Sequence, residues 1–332
     1  MPPRMGSESC PFCFQGIKPD RCVPAGRDRS FIGNTTVQHF LTLLDIPKPD
    51  LIGIVKRATE LKRAPDQVRP APRKTLGLIF EKSSTRTRVA FEVAMNQMDG
   101  RSIFLTTGDS QLGRGEPIED MARVLSRMVD IIAVRTFEHA KLECFAEHSA
   151  VPIINALSDD YHPCQLLADL QTFFEHRGDI AGKRVAWIGD GNNMCHSYIN
   201  AARVFDFELA VACPPGFEPN AELVAANRDR VQVAADPKAA AAQADLVVTD
   251  VWASMGQEAE QADRMHSFVD YQVNTELMAG ANSDALFMHC LPAHRGEEVS
   301  AEIIDAADSV VWEEAENRMH SQKALVEYLL SQ

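Results

Sequence analysis

Short apolar runs rich in Val and Ile recur along the chain, separated by longer mixed stretches. The clearest are Thr75–Phe80, Ser102–Thr107, Ile131–Thr136 and Pro152–Leu157. A second group comprises Arg184–Gly189, Glu208–Cys213, Val231–Ala235, Asp245–Asp250, Ala285–Cys290 and Ser309–Trp312. Unbroken apolar runs of this length predict strands buried on both faces. Segments between them, among them Val89–Met98, Ile118–Met128 and Leu166–Arg177, have helix length. Strand–helix alternation predicts an α/β fold with parallel sheets covered by helices on both sides. The polar, Gly-bearing run Gly178–Lys183 interrupts the pattern after a long helix. The expected architecture is therefore two doubly wound parallel-sheet domains joined by helices, the first over residues 36–165 and the second over 166–317. Residues 318–332, with a helix over Ser321–Leu330, have no strand after them and are expected to pack back across the junction. Residues 1–35 lack periodic apolar positions and are rich in Pro, Gly, Ser and Arg, which predicts a flexible extension.

A length of 332 residues fits two ordinary domains. The formal net charge is 33 − 47 = −14, against the basic face expected of a general nucleic-acid binder. Any anionic ligand must be held by local Arg side chains and helix N-termini rather than by the overall field. No apolar run approaches the roughly 20 residues of a membrane-spanning helix, so no membrane partner is expected. Eight scattered Cys point to reduced thiols in a cytosol-like compartment, and a cytoplasmic location is expected, with an organelle matrix left open. Cys10-Pro-Phe-Cys13 with Cys22 offers part of a zinc site, but a fourth ligand is missing nearby, and no metal is expected.

In open parallel sheets, ligands bind beyond the carboxyl ends of the strands. The first strand is followed by Ser83-Ser84-Thr85-Arg86-Thr87-Arg88 at a helix start, where outward N–H groups, the helix dipole and forked Arg donors suit a phosphate. Arg135 ends the third strand. His162-Pro163-Cys164-Gln165 opens the helix after the fourth. A His at a helix start tends to be neutral and can donate to a carbonyl oxygen as charge develops there. After the fifth strand, Gly189-Asp190-Gly191-Asn192-Asn193-Met194 begins like a dinucleotide turn but lacks the third glycine, which argues against a nicotinamide-dependent dehydrogenase. Its Asn pair suits a carboxylate-bearing ligand instead. Asp250 ends the eighth strand and leads into Ser254-Met255-Gly256. The ninth leads into Cys290-Leu291-Pro292, and Arg318 lies before the last helix. Singly, each turn also reads as an ordinary cap, ion pair or connecting loop. Together they place polar clusters after apolar strands throughout the chain.

As a set, Ser84-Thr85-Arg86-Thr87-Arg88, His162-Pro163-Cys164-Gln165, Asp250 with Ser254-Met255-Gly256, and His289-Cys290-Leu291-Pro292 closely resemble the motifs of ornithine carbamoyltransferases, within the aspartate/ornithine carbamoyltransferase family. The likeness runs from about Thr36 to the C-terminus. It implies transfer of the carbamoyl group of carbamoyl phosphate to the δ-amine of L-ornithine, giving L-citrulline and phosphate, in arginine metabolism. By resemblance, carbamoyl phosphate is bound by Ser84, Thr85, Arg86, Thr87, Arg135, His162 and Gln165, and by Gln111 reaching from a neighbouring subunit. Ornithine is bound by Asn193, Asp250, Ser254, Met255, Cys290, Leu291 and Arg318. Arg135, His162, Asp250 and Cys290 then act in catalysis. The resemblance also implies a homotrimer with shared active sites, and neither metal nor organic cofactor. A sister enzyme acting on aspartate, putrescine or an acylated ornithine would keep the phosphate motif and change the acceptor loop.

Overall fold

The computed structural model describes residues 37–106, 115–253 and 261–332. The extension before residue 37, with Cys10, Cys13 and Cys22, lies outside the described residues, as do Gln111 and the Ser254-Met255-Gly256 loop.

The first sheet contains β1 (Thr75–Phe80), β2 (Arg101–Thr106), β3 (Ile131–Arg135) and β4 (Ile153–Leu157), in the order β2-β1-β3-β4. The second contains β5 (Arg184–Ile188), β6 (Glu208–Ala212), β7 (Val231–Val233), β8 (Leu246–Thr249) and β9 (Leu286–His289), in the order β7-β6-β5-β8-β9. All pairings are parallel. The central strands β1, β3, β5 and β8 are almost wholly buried, as continuous apolar runs covered on two faces should be. Both sheets are therefore doubly wound, as the alternation predicts.

One expected strand is absent among the described residues. Ser309 makes only an isolated bridge to Phe287, and Val311 already begins the last helix. Three apolar residues, Val310-Val311-Trp312, looked like a strand but form a helix entry with Val310 and Val311 buried. The terminal helix thus spans Val311–Leu329, ten residues earlier than the expected start at Ser321, and Arg318 sits inside it rather than ahead of it.

Helices α1 (Lys48–Arg63), α2 (Thr85–Gln97), α3 (Ile118–Leu125), α4 (His139–His148) and α5 (Pro163–Arg177) accompany the first sheet. The expected boundary at 165/166 falls in the first turn of α5. Pro163 suits the start of that helix, where an N–H has no partner anyway, and Gly178 ends it at φ +78°. In the second half come α6 (Asn193–Phe205), α7 (Ala221–Ala226), α8 (Pro237–Ala241), α9 (Gln261–Phe268), α10 (Thr275–Met278), α11 (Ala301–Ile304) and α12 (Val311–Leu329). α12 packs on α1, α2 and α5 and also touches β9, so it ties both halves together.

Each sheet has a topological switch point, where successive connections leave in opposite directions. These lie between β1 and β3 (Phe80 beside Arg135) and between β5 and β8 (Ile188 beside Thr249). Doubly wound sheets bind ligands at such points.

Candidate active site

At the first switch point, Ser84 caps α2. Its backbone is extended, and its Oγ accepts the Thr87 N–H at 3.3 Å. This leaves the first-turn residues Thr85, Arg86 and Thr87 at the positive end of α2, where an anion is favoured. Arg135, the last residue of β3, is buried. Burial, with the cations Arg318 and Arg86 nearby, pushes its pKa down to about 10. The guanidinium still holds its charge at neutral pH, in a setting that favours an incoming anion.

His162 is the N-cap residue of α5 and is buried; its Nδ1 has no hydrogen-bond partner among the described residues. Its pKa lies well below the ordinary histidine value. The main cause is burial, followed by the nearby cations Arg318 and Arg135. The imidazole is neutral at physiological pH, as expected of a donor to a carbonyl oxygen.

At the second switch point, Asn192 caps α6 by accepting the Met194 and Cys195 N–H groups at 2.9 and 3.2 Å. Its Nδ2 donates to Asp250 Oδ2 at 2.9 Å. Asn192 is therefore engaged at both ends, which corrects the reading of an Asn pair offered to a ligand. Asn193 donates to the Ser158 carbonyl at 2.7 Å. Cys290 Sγ donates to Asp250 Oδ1 at 3.1 Å. Burial and the Asp250 charge push the thiol well above its usual range, so Cys290 is a neutral donor and not a thiolate nucleophile. Leu291 adopts φ +56°, its N–H donating to His289 Nδ1 at 2.9 Å. That leaves Nε2 of His289 as the protonated nitrogen, facing buried Glu298 at 3.0 Å.

Several bonds join the two halves of the cleft. Arg86 donates to the Leu291 carbonyl at 2.8 Å, and the His162 N–H donates to Ser197 Oγ at 2.8 Å. Arg318 on α12 donates to Gln165 Oε1 at 2.6 Å and to Thr87 Oγ1 at 2.8 Å. Ser84, Thr85, Arg86, Thr87, Arg135, His162 and Gln165 are thus gathered at one sheet edge. Asn193, Asp250, Cys290 and Leu291 line the other, with Arg318 between.

Other polar residues around the site escaped the sequence reading. Asp169 and Glu314 are buried behind Gln165 and both accept from its Nε2, at 2.9 and 2.8 Å. Glu314 follows Glu313 and precedes Glu316 at the start of the last helix. Its i,i+4 spacing to Arg318 on one helical face was the available signal, and Asp169 stands in the same relation to Gln165. Arg264 donates to Asp190 Oδ2 and to the Trp252 carbonyl, both at 2.8 Å, tying together the two flanks of the acceptor loop.

The chain is similar to known proteins along most of its length. The family model described as the carbamoyl-P binding domain of aspartate/ornithine carbamoyltransferase covers residues 38–175. The model of the Asp/Orn binding domain covers 181–329. The chain is 63% identical over 294 residues to an ornithine carbamoyltransferase of Methylococcus capsulatus, covering 89% of this chain and 99% of that one. It is 59% identical over 298 residues to an anabolic ornithine carbamoyltransferase of Pseudomonas aeruginosa, covering 89% and 98%. The crystal structure of ornithine carbamoyltransferase from Burkholderia thailandensis superposes with a TM-score of 0.82 at 52% identity, covering 89% of this chain and 99% of that one.

Proposed function

The chain belongs to the aspartate/ornithine carbamoyltransferase family, and on that premise we infer that it transfers the carbamoyl group of carbamoyl phosphate to the δ-amine of L-ornithine, yielding L-citrulline and phosphate in arginine metabolism. The observation that carries this reading is the pairing of two chemically different switch points across one cleft. One gathers Arg86, Arg135 and His162 beside a helix N-terminus. The other presents the hydrogen-bonded Asp250–Cys290 pair.

The roles follow from charge. Arg86 and the N–H groups of the α2 start, with Ser84, Thr85 and Thr87, hold the phosphate and stabilise its departure. Arg135, Thr87 and neutral His162 donate to the carbonyl oxygen, which becomes an oxyanion when the amine adds. Gln165 orients the carbamoyl NH2. Asn193, Asp250, Ser254 and Met255 grip ornithine. Asp250 and Cys290, with Leu291 and Arg318 closing the centre, favour the deprotonated, attacking orientation of the δ-amine. An amine attacking an already activated carbonyl needs no covalent enzyme intermediate. Holding both substrates in one closed cleft supplies on the order of 7 kcal/mol or more. Neither metal nor organic cofactor is called for by this chemistry. We further propose a cytoplasmic homotrimer in which Gln111 reaches the phosphate site of a neighbour.

The test is an acceptor panel. Carbamoyl phosphate is offered with L-ornithine, L-aspartate, putrescine or N-acetylornithine, and phosphate and ureido product are both quantified. Citrulline formed with ornithine alone is the expected result. Product with another amine overturns the roles of Asn193, Asp250 and Ser254, and no product with any acceptor overturns the reaction.

A further inference from the structure

Gln165 has a side chain whose two ends differ, and its neighbours decide which end faces where. Its Nε2 donates to Asp169 Oδ1 and Glu314 Oε1, and its Oε1 accepts from Arg318 Nη1. Turning the amide over would set its oxygen against two carboxyl groups and its NH2 against a guanidinium. Both contacts would be repulsive. The two acidic residues are themselves held. Tyr198 Oη donates to Asp169 Oδ2 at 2.8 Å, and Glu314 Oε2 accepts the His289 N–H at 2.9 Å. His289 ends β9 and immediately precedes Cys290. Glu314 thus spans from Gln165 on α5 to the end of the strand that leads into Cys290.

We propose that Asp169 and Glu314 are positioning residues for the carbamoyl transfer inferred above. They fix the Gln165 amide with its oxygen as the only end left to accept a hydrogen bond, so that the site selects a carbamoyl NH2 over an acyl methyl. The proposal rests on that functional reading, since the NH2 to be recognised belongs to carbamoyl phosphate. Burial and the neighbouring Asp169 hold Glu314 well above the usual carboxylate range, while Asp169 is raised to about 6. The Arg318 guanidinium opposes both rises, so the two carboxyl groups and the cation stand as one buried cluster around the Gln165 amide.

An Asp169→Asn variant separates this role from a bulk structural one. Its amide can accept from Gln165 or from Tyr198 but not from both. The probes are phosphonoacetamide, acetonylphosphonate (a methyl in place of NH2) and inorganic phosphate, each titrated calorimetrically. The wild type is expected to prefer the amide over the methyl ketone by roughly tenfold or more, the usual scale for one well-made buried hydrogen bond. Asp169→Asn is expected to lose most of that preference and to hold inorganic phosphate within about twofold of wild type, since the phosphate contacts are elsewhere. An unchanged preference, or equal loss of affinity for all three probes, overturns the proposal. A wild type that binds neither phosphonate overturns the functional reading itself. Should Asp169→Asn not fold, Glu314→Gln carries the same test. Its amide cannot accept from both Gln165 and His289, and it too should lower the amide preference.

Discussion

His162 illustrates how burial sets chemistry for a single side chain. Among guanidinium groups and away from water, its charged form is disfavoured, and the folded protein holds it neutral well below the ordinary pKa. The unfolded chain takes up a proton as pH falls through the ordinary value of 6.5, and the folded protein does not. The unfolded state then binds more protons, so stability contributed by this residue is lost as pH falls below 6.5. Urea unfolding at about pH 7 and about pH 5.5 should show wild type losing on the order of 1 kcal/mol more than His162→Gln across that interval. Equal losses would mean that His162 is protonated in the fold and unsuited to neutral donation. At this scale the sequence revealed the residues at strand ends, because their placement follows from the apolar runs before them. It concealed Asp169 and Glu314. Carboxylates on helices are ordinarily exposed, and the i,i+4 spacings to Gln165 and Arg318 mark a shared face without saying that it turns inward.

The elements were legible where burial on both faces writes a continuous apolar run. β1, β3, β5 and β8 fall within a residue or two of expectation. The last helix was misread because a short apolar run does not tell a strand from a buried helix entry. The turn after β5 carries a different lesson. Gly189 needs its left-handed backbone at φ +133°. Gly191 needs close approach, because a Cβ there would lie 2.2 Å from Pro219 N and 2.4 Å from the Glu218 carbonyl carbon. The Gly-x-Gly pattern thus serves packing against residues 217–219 and places Asn192 and Asn193 at the head of α6, without any dinucleotide. Backbone cannot yield as a side chain end can, so Gly191→Ala should destabilise the protein by roughly 2 kcal/mol or more. Gly53 in α1 has nothing within 4 Å of its would-be Cβ, and Gly53→Ala should gain up to about 1 kcal/mol. Thermal unfolding of the pair checks both signs. A neutral Gly191→Ala would show that the 217–219 segment yields at little cost.

For the whole molecule, the open edge of the first sheet is the informative feature. Among the described residues β2 is an edge strand, and its residues are exposed or half-buried throughout, unlike the covered central strands. Ile103 on β2 is 49% exposed, Val89 on neighbouring α2 is 52%, and Met128 just past α3 is 72%. An uncovered edge with apolar side chains is a liability that proteins normally cover. A second copy of the chain is the covering we propose, which would bring Gln111, eight residues beyond Ile103, to a neighbour's phosphate site. Light scattering should then give three times the 36.7 kDa of one chain. Replacing both Val89 and Ile103 by Glu should dissociate the assembly, because burying two carboxylates at an interface costs several kcal/mol. Activity should fall with the assembly, since each site would lose a residue supplied by its neighbour. A monomeric wild type with full turnover would refute the shared site, and a trimeric double variant would place the interface on another face of the molecule.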